Sequence, residues 1–218
     1  MRVRVSPPVL YTASMDTLFH RRLYWTRQNG FILFNKKTGE VWVRGYKQTS
    51  RHVLQMWADA LAHCPGVESS TWILLLGLAG GGALSALHHT CRNAQVTAVE
   101  HDPTMVTLAR ELHQGQPFPF PDVLVGDAQD IVSLLQKQFD LILVDLSLGG
   151  NPPAFTKEVL FWSNLKGRLF PGGKVVFNLV DKTEYDTAAR ASFEHSVSWT
   201  FRLNRLVALW DGAPHTVV

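Results

Sequence analysis

The chain has 218 residues, 46% hydrophobic and 18% charged, enough apolar material for one sizeable core and too much for a mainly disordered polymer. Its formal net charge of +3 is too mild to mark a nucleic-acid binder by itself. The distribution is uneven: residues 1–55 hold ten Lys and Arg against Asp16 and Glu40, a net of +8, and the remaining 163 residues carry a net of −5.

Cys64 and Cys91 lie far apart in the sequence and outside any Cys-x-x-Cys pair. That argues against a disulfide framework or a zinc site and fits a reducing, cytoplasmic setting. Residues 1–14 contain two arginines and Pro7-Pro8 but no apolar run, so no secretory signal is expected. The uncharged stretch 69–91 is broken by Gly77, Gly80, Gly81, Gly82, His88 and His89, and no membrane span is predicted.

Residues 18–26 read as a strand, Asn29-Gly30 as a tight hairpin turn and 31–34 as the return strand. A second turn, Lys36-Lys37-Thr38-Gly39, leads into 41–44, giving a three-stranded meander. So small a sheet is not stable alone and must pack on the rest or on another copy, which makes a homodimer one partner to consider. Its cations, with Tyr24, Trp25 and Trp42 interleaved, read as a solvated face over a small core, so nucleic acid is not an expected partner.

Residues 50–63 place Val53, Leu54, Met56, Trp57, Ala60 and Leu61 on one helical face. From Trp72 the pattern changes to apolar runs (72–76, 95–99, 123–125, 141–144, 174–179) alternating with helices (83–90, 103–113, 128–136, 156–168). Continuous apolar strands between helices indicate a parallel sheet covered on both faces. After a helix near 185–192, runs 197–201 and 206–210 are too close for a helical crossover and should form an antiparallel hairpin. The predicted fold is a doubly wound, Rossmann-like α/β domain over 50–218, with a mostly parallel seven-stranded sheet. It follows an N-terminal arm and β-meander over 1–49.

Strand 72–76 runs into Gly77-Leu78-Ala79-Gly80-Gly81-Gly82 and then a helix, a loop in which missing Cβ atoms let a ligand approach main-chain N–H groups. Glu100 ends the next strand, 23 residues after Gly77, where a carboxylate can accept from both hydroxyls of a ribose; His101 follows it. Asp102-Pro103 reads as a helix N-cap with proline in the first turn. Asp127 with Ala128 stands after the third strand, suited either to an adenine amino group or to another N-cap, and Asp145 closes the fourth. Ligands of open α/β sheets lie outside the carboxyl ends of the strands, so these ends point to one adenosyl-binding crevice. A dinucleotide fingerprint fits less well because Ala79 takes the place of its second glycine, and a P-loop lacks its Lys-Ser or Lys-Thr. The histidines show no metal spacing, and His88-His89 reads as a cationic helix end.

The parallel sheet with its terminal hairpin resembles class I S-adenosylmethionine-dependent transferases. Residues 73–87, 96–102, Gly126-Asp127-Ala128 and 140–145 resemble the spermidine synthase family and its relatives. The resemblance implies that Gly77, Ala79, Gly81, Gly82, Glu100, His101, Asp127, Ala128 and Asp145 bind S-adenosylmethionine or its decarboxylated form, with no metal. It further implies that Asp145 deprotonates the acceptor and that Gln48 lies near the donor. The chain departs from the aminopropyltransferase pattern at Gly80 and Leu148, where acids are expected, and near Val53, where a tyrosine is expected. Two buried ammonium charges without carboxylates would cost several kcal/mol each. The expected activity is transfer of an aminopropyl or methyl group to an unidentified nucleophile; the alternative is an S-adenosylmethionine-dependent methyltransferase without polyamine activity, or a non-catalytic adenosyl-binding module.

Overall fold

The computed structural model describes residues 20–180, 182–202 and 204–212. The start of the expected first strand and the N-terminal arm lie outside the described residues. Four strands, β1 (Arg21–Thr26), β2 (Gly30–Asn35), β3 (Glu40–Val43) and β4 (Tyr46–Thr49), form one antiparallel sheet in chain order. The expected meander of three strands is thus corrected to four. Arg44 and Gly45 both take positive φ, a turn so short that no loop signal separates β3 from β4 in the sequence.

Helix α1 (Arg51–Ala62) starts where the Ser50 hydroxyl accepts the Val53 amide at 3.3 Å, a side-chain N-cap. The second sheet comprises β5 (Trp72–Leu76), β6 (Gln95–Glu100), β7 (Asp122–Val125), β8 (Phe139–Val144), β9 (Leu169–Asn178), β10 (His195–Phe201) and β11 (Asn204–Trp210), ordered β10-β11-β9-β8-β5-β6-β7. The first five are mutually parallel, and β11 is antiparallel to both neighbours. The doubly wound topology and the terminal hairpin are therefore as the sequence predicts.

Helices α2 (Gly82–Thr90), α3 (Pro103–His113), α4 (Ala128–Leu134), α5 (Val159–Lys166) and α6 (Asp186–Ala191) connect the strands. Along β5 the side chains alternate between two cores. Ile73 and Leu75 pack with α1 and α2, and Leu74 and Leu76 pack with α4, α5 and α6. The helix expected over 156–168 is divided, because Glu158 is extended between a 3-10 turn (Ala154–Lys157) and α5. Among the described residues no helix is long and apolar enough to cross a membrane.

The small sheet lays its inner face, Tyr24, Ile32, Phe34, Val41 and Val43, on Met105 and Leu108 of α3. Polar bonds fix the hairpin tip. Asp102, fully buried, accepts the Thr104 amide at 2.8 Å as the expected N-cap, and its other oxygen accepts from the Thr26 hydroxyl at 2.5 Å and the Asn29 amide at 2.8 Å. One carboxylate therefore starts α3 and ties down the β1–β2 hairpin. His88 departs from expectation: it is buried against Phe118, with ring centroids 4.2 Å apart. Burial above all, then His113 and His89, hold its pKa below the ordinary 6.5. Its burial and lowered pKa disfavour the helix-end cation that the sequence suggests.

Replacing Asp102 by Ala leaves the Thr26 and Asn29 donors without their acceptor. It should lower unfolding free energy by about 3 kcal/mol, read as a fall in the urea midpoint; an unchanged midpoint would show that the hairpin is held by apolar packing alone.

Candidate active site

The carboxyl ends of β5, β6, β7 and β8 open into a solvent-connected cleft of about 740 Å³. Of the residues singled out in the sequence, Gly77, Ala79, Glu100, His101, Asp127, Ala128, Asp145 and Gln48 line it together. Gly81 and Gly82 instead sit at the N-terminus of α2, with Gly81 as an N-cap that has no side-chain hydrogen bond. The small sheet closes one side through Asn29, Val43 and Gln48.

Gly77 is where β5 meets β8. It has φ +89°, its amide donates to the Val99 carbonyl at 2.9 Å, and the Asp145 amide donates to the Leu76 carbonyl at 2.8 Å. A Cβ on Gly77 would strike the Asp145 carbonyl, so only glycine fits this crossing. At Gly80 a Cβ would lie 2.6 Å from Cβ and Cγ2 of Thr49. The acid that aminopropyltransferases place there has no room, because β4 fills the space.

Glu100 is buried, and both its oxygens are engaged. Oε2 accepts the Leu78 and Ala79 amides at 3.2 and 3.0 Å, and Oε1 accepts the Asp102 amide at 3.0 Å and pairs with His101 Nδ1 at 3.1 Å. A carboxylate has about four acceptor positions, so a ribose diol would exchange with these bonds instead of meeting a free group. The bond to Glu100 is the leading cause that raises the His101 pKa. Asp127 is the N-cap that one sequence reading expects, its Oδ1 accepting the Gln129 amide at 2.8 Å, and the residue also lines the cleft.

Asp145 is held from two sides. Its Oδ2 accepts from Trp57 Nε1 at 2.9 Å and its Oδ1 from Asn178 Nδ2 at 3.0 Å. Burial raises its pKa above the ordinary carboxylate range, while the Asn178 and Trp57 bonds oppose that rise. The sequence reading took Trp57 as core and did not mark Asn178. Trp57 is indeed fully buried, and its N–H also reaches the Asp145 carboxylate. Asn178 carried a readable signal, a polar residue ending the apolar strand beside the one that ends in Asp145.

Beyond Asp145, the chain turns sharply at Leu148-Gly149-Gly150-Asn151, with both glycines at positive φ and the Leu148 amide bonded to the Asn151 carbonyl at 2.7 Å. The Tyr46 ring packs on Gly150, where a Cβ would collide with it. Leu148, Pro153 and Phe155 complete the wall. Asn151 closes this turn, and Pro152-Pro153 follow it into the 3-10 turn.

Residues 74–177 match the family described as methyltransferase domain. The chain is 35% identical over 124 residues to an eEF1A lysine and N-terminal methyltransferase homolog of Drosophila melanogaster, covering 51% of this chain and 18% of that one. It is 31% identical over 119 residues to polyamine aminopropyltransferase 2 of Hyperthermus butylicus, covering 51% and 39%. Human methyltransferase-like protein 13 in complex with SAH superposes with a TM-score of 0.58 at 24% identity, over 77% of this chain and 84% of that one. A probable spermidine synthase from Corynebacterium glutamicum superposes with a TM-score of 0.63 at 18% identity, over 94% and 81%. The fold is the methyltransferase fold. Its strand order places the cleft at the strand ends where open α/β sheets bind ligands, and the chain spans about a fifth of the length of the first methyltransferase relative.

Within this methyltransferase fold, removing either N–H that opposes the rise should push Asp145 further up. Trp57→Phe and Asn178→Ala should each move the carboxyl titration of Asp145, followed by carbon NMR, to higher pH. An unmoved midpoint would show that the two bonds do not act on its protonation.

Proposed function

We propose that this chain is an S-adenosylmethionine-dependent methyltransferase acting on a nitrogen nucleophile presented to Asp145. The observation that carries the choice of donor is Gly80: with Thr49 against it, the loop has no carboxylate to repel the donor's own. The first-turn amides of α2, which no side chain caps, suit an anion. The glycine crossing and the cleft leave room for an adenosyl group, with Glu100, Asp127 and Ala128 at the ends that would hold ribose and adenine.

S-adenosylmethionine, when bound, supplies a methyl carbon made electrophilic by its sulfonium. The residues of this chain then have two tasks, alignment and proton removal. Trp57 and Asn178 fix the plane of the Asp145 carboxylate, leaving its remaining lone pairs to the cleft. The raised pKa makes that carboxylate a stronger base than an ordinary aspartate, closer to the range where general bases work. As the nitrogen lone pair forms the new N–C bond, the C–S bond breaks with its electrons on sulfur, and Asp145 takes the nitrogen's proton. Leu148, Pro153 and Phe155 line the cleft beyond Asp145 without a second carboxylate, which disfavours a dication as acceptor.

The rival reading, aminopropyl transfer, is supported by the sequence match to an aminopropyltransferase and by the spermidine synthase neighbour, whose superposition takes in more of this chain. Calorimetric titration separates the two. S-adenosylmethionine should bind at least about tenfold more tightly than its decarboxylated form, a difference of about 1.4 kcal/mol; the reverse order would favour aminopropyl transfer, and no binding of either would end both readings.

Asp145→Asn should keep donor affinity within about threefold and lower turnover by at least about a hundredfold. Full activity in that variant would remove Asp145 from the role of base.

A further inference from the structure

A strand sheet that covers a core on one side normally turns polar residues outward. The small sheet does not. Opposite its core face, Leu23, Trp25 and Phe31 are 43%, 54% and 64% exposed. Trp25 and Phe31 are direct cross-strand neighbours, as are Leu23 and Leu33, and Leu33 in turn faces Trp42. The face therefore carries two adjacent exposed rings, an aliphatic pair beside them and a third ring on the next strand.

Its surroundings are cationic. Arg21 and Arg27 flank β1, and Lys36 and Lys37 form the β2–β3 turn; all four are exposed, and none pairs with a carboxylate among the described residues. Glu40, the one acid on these strands, is bonded to Lys47 at 2.6 Å. Of the three rings interleaved with these cations, Tyr24 belongs to the small core, whereas Trp25 is exposed and Trp42 half-buried. Stacking two copies face to face would bring like charges together around the apolar centre, which disfavours self-association. A single-stranded polynucleotide instead supplies both complements in one repeat, a flat base for each ring and a phosphate for each cation.

We infer that the outer face of the β1–β4 sheet is a binding platform for single-stranded nucleic acid. Bases stack on Trp25 and Phe31, while Arg21, Arg27, Lys36 and Lys37 contact phosphates. The platform lies on the side of the sheet away from its core with α3, and it does not depend on the donor or on Asp145.

Fluorescence anisotropy of the full chain with labelled ten-nucleotide oligo(U) and oligo(dT) tests this and tells RNA from DNA. The expected result is saturable binding with quenching of tryptophan emission and a log-affinity against log-salt slope of about −3 for four phosphate contacts. Trp25→Ala or Phe31→Ala should each weaken binding by about tenfold. Should either alter folding, as judged by urea unfolding, Lys36→Glu with Lys37→Glu in the exposed turn should weaken binding and flatten the slope. Absence of binding at low salt, or affinity indifferent to the ring and turn substitutions, overturns the proposal. So does concentration-dependent self-association that Trp25→Ala abolishes while oligonucleotides do not compete, or competition only by an acidic protein segment.

Discussion

The cleft depends on one close approach, that of Gly77 to the Asp145 carbonyl. Two parallel strands end side by side there, and the chain must leave one for a loop while the other delivers a carboxylate. A side chain at Gly77 would occupy the carbonyl's position, and its φ of +89° is open only to glycine without strain. With the crossing closed, the loop folds back so that its amides reach Glu100 at the end of the neighbouring strand. The glycine loop and the Asp145 carboxylate are thus placed side by side in the cleft by the same contact.

The small sheet is a second wall of that cleft and not an appendage. Asp102 joins it to the larger sheet, since the carboxylate that starts α3 also holds Thr26 and Asn29. Through this junction the β1–β2 turn stands beside Glu100 and His101, and β4 places Thr49 against Gly80 and Gln48 in the cleft. The charge split in the sequence takes on a physical meaning: the acid-poor segment supplies one wall of the cleft, through Asn29, Val43 and Gln48. Leu148, Pro153 and Phe155 complete the lining without a charge.

Much of this was legible from residue order. Apolar runs alternating with amphipathic segments specify strands and helices because each covers a face of one core, and residues at strand ends gather at one edge because parallel strands all point the same way. That logic gathers Gly77, Glu100, Asp127 and Asp145 at one edge, and all four line the cleft. It failed for Trp57, because helical periodicity reports only that a ring faces inward and not what its N–H meets. It failed for His88 because a histidine near a helix end has the same signature whether solvated or stacked. The fourth strand of the small sheet was missed because Arg44 and Gly45 make a turn without the usual turn composition.

The sequence by itself determined the succession of strands and helices, the terminal hairpin, the glycine loop and the acids at the strand ends, because these follow from local propensity and from the period of burial. Only the tertiary structure decided how those acids are used. Glu100 is committed to its own loop, Asp127 caps a helix with one oxygen, Asp102 bridges two sheets, and Asp145 is clamped by residues 88 positions before it and 33 after. The number of lone pairs left for a ligand is a property of contacts between segments distant in the chain, and no spacing rule within one segment encodes it.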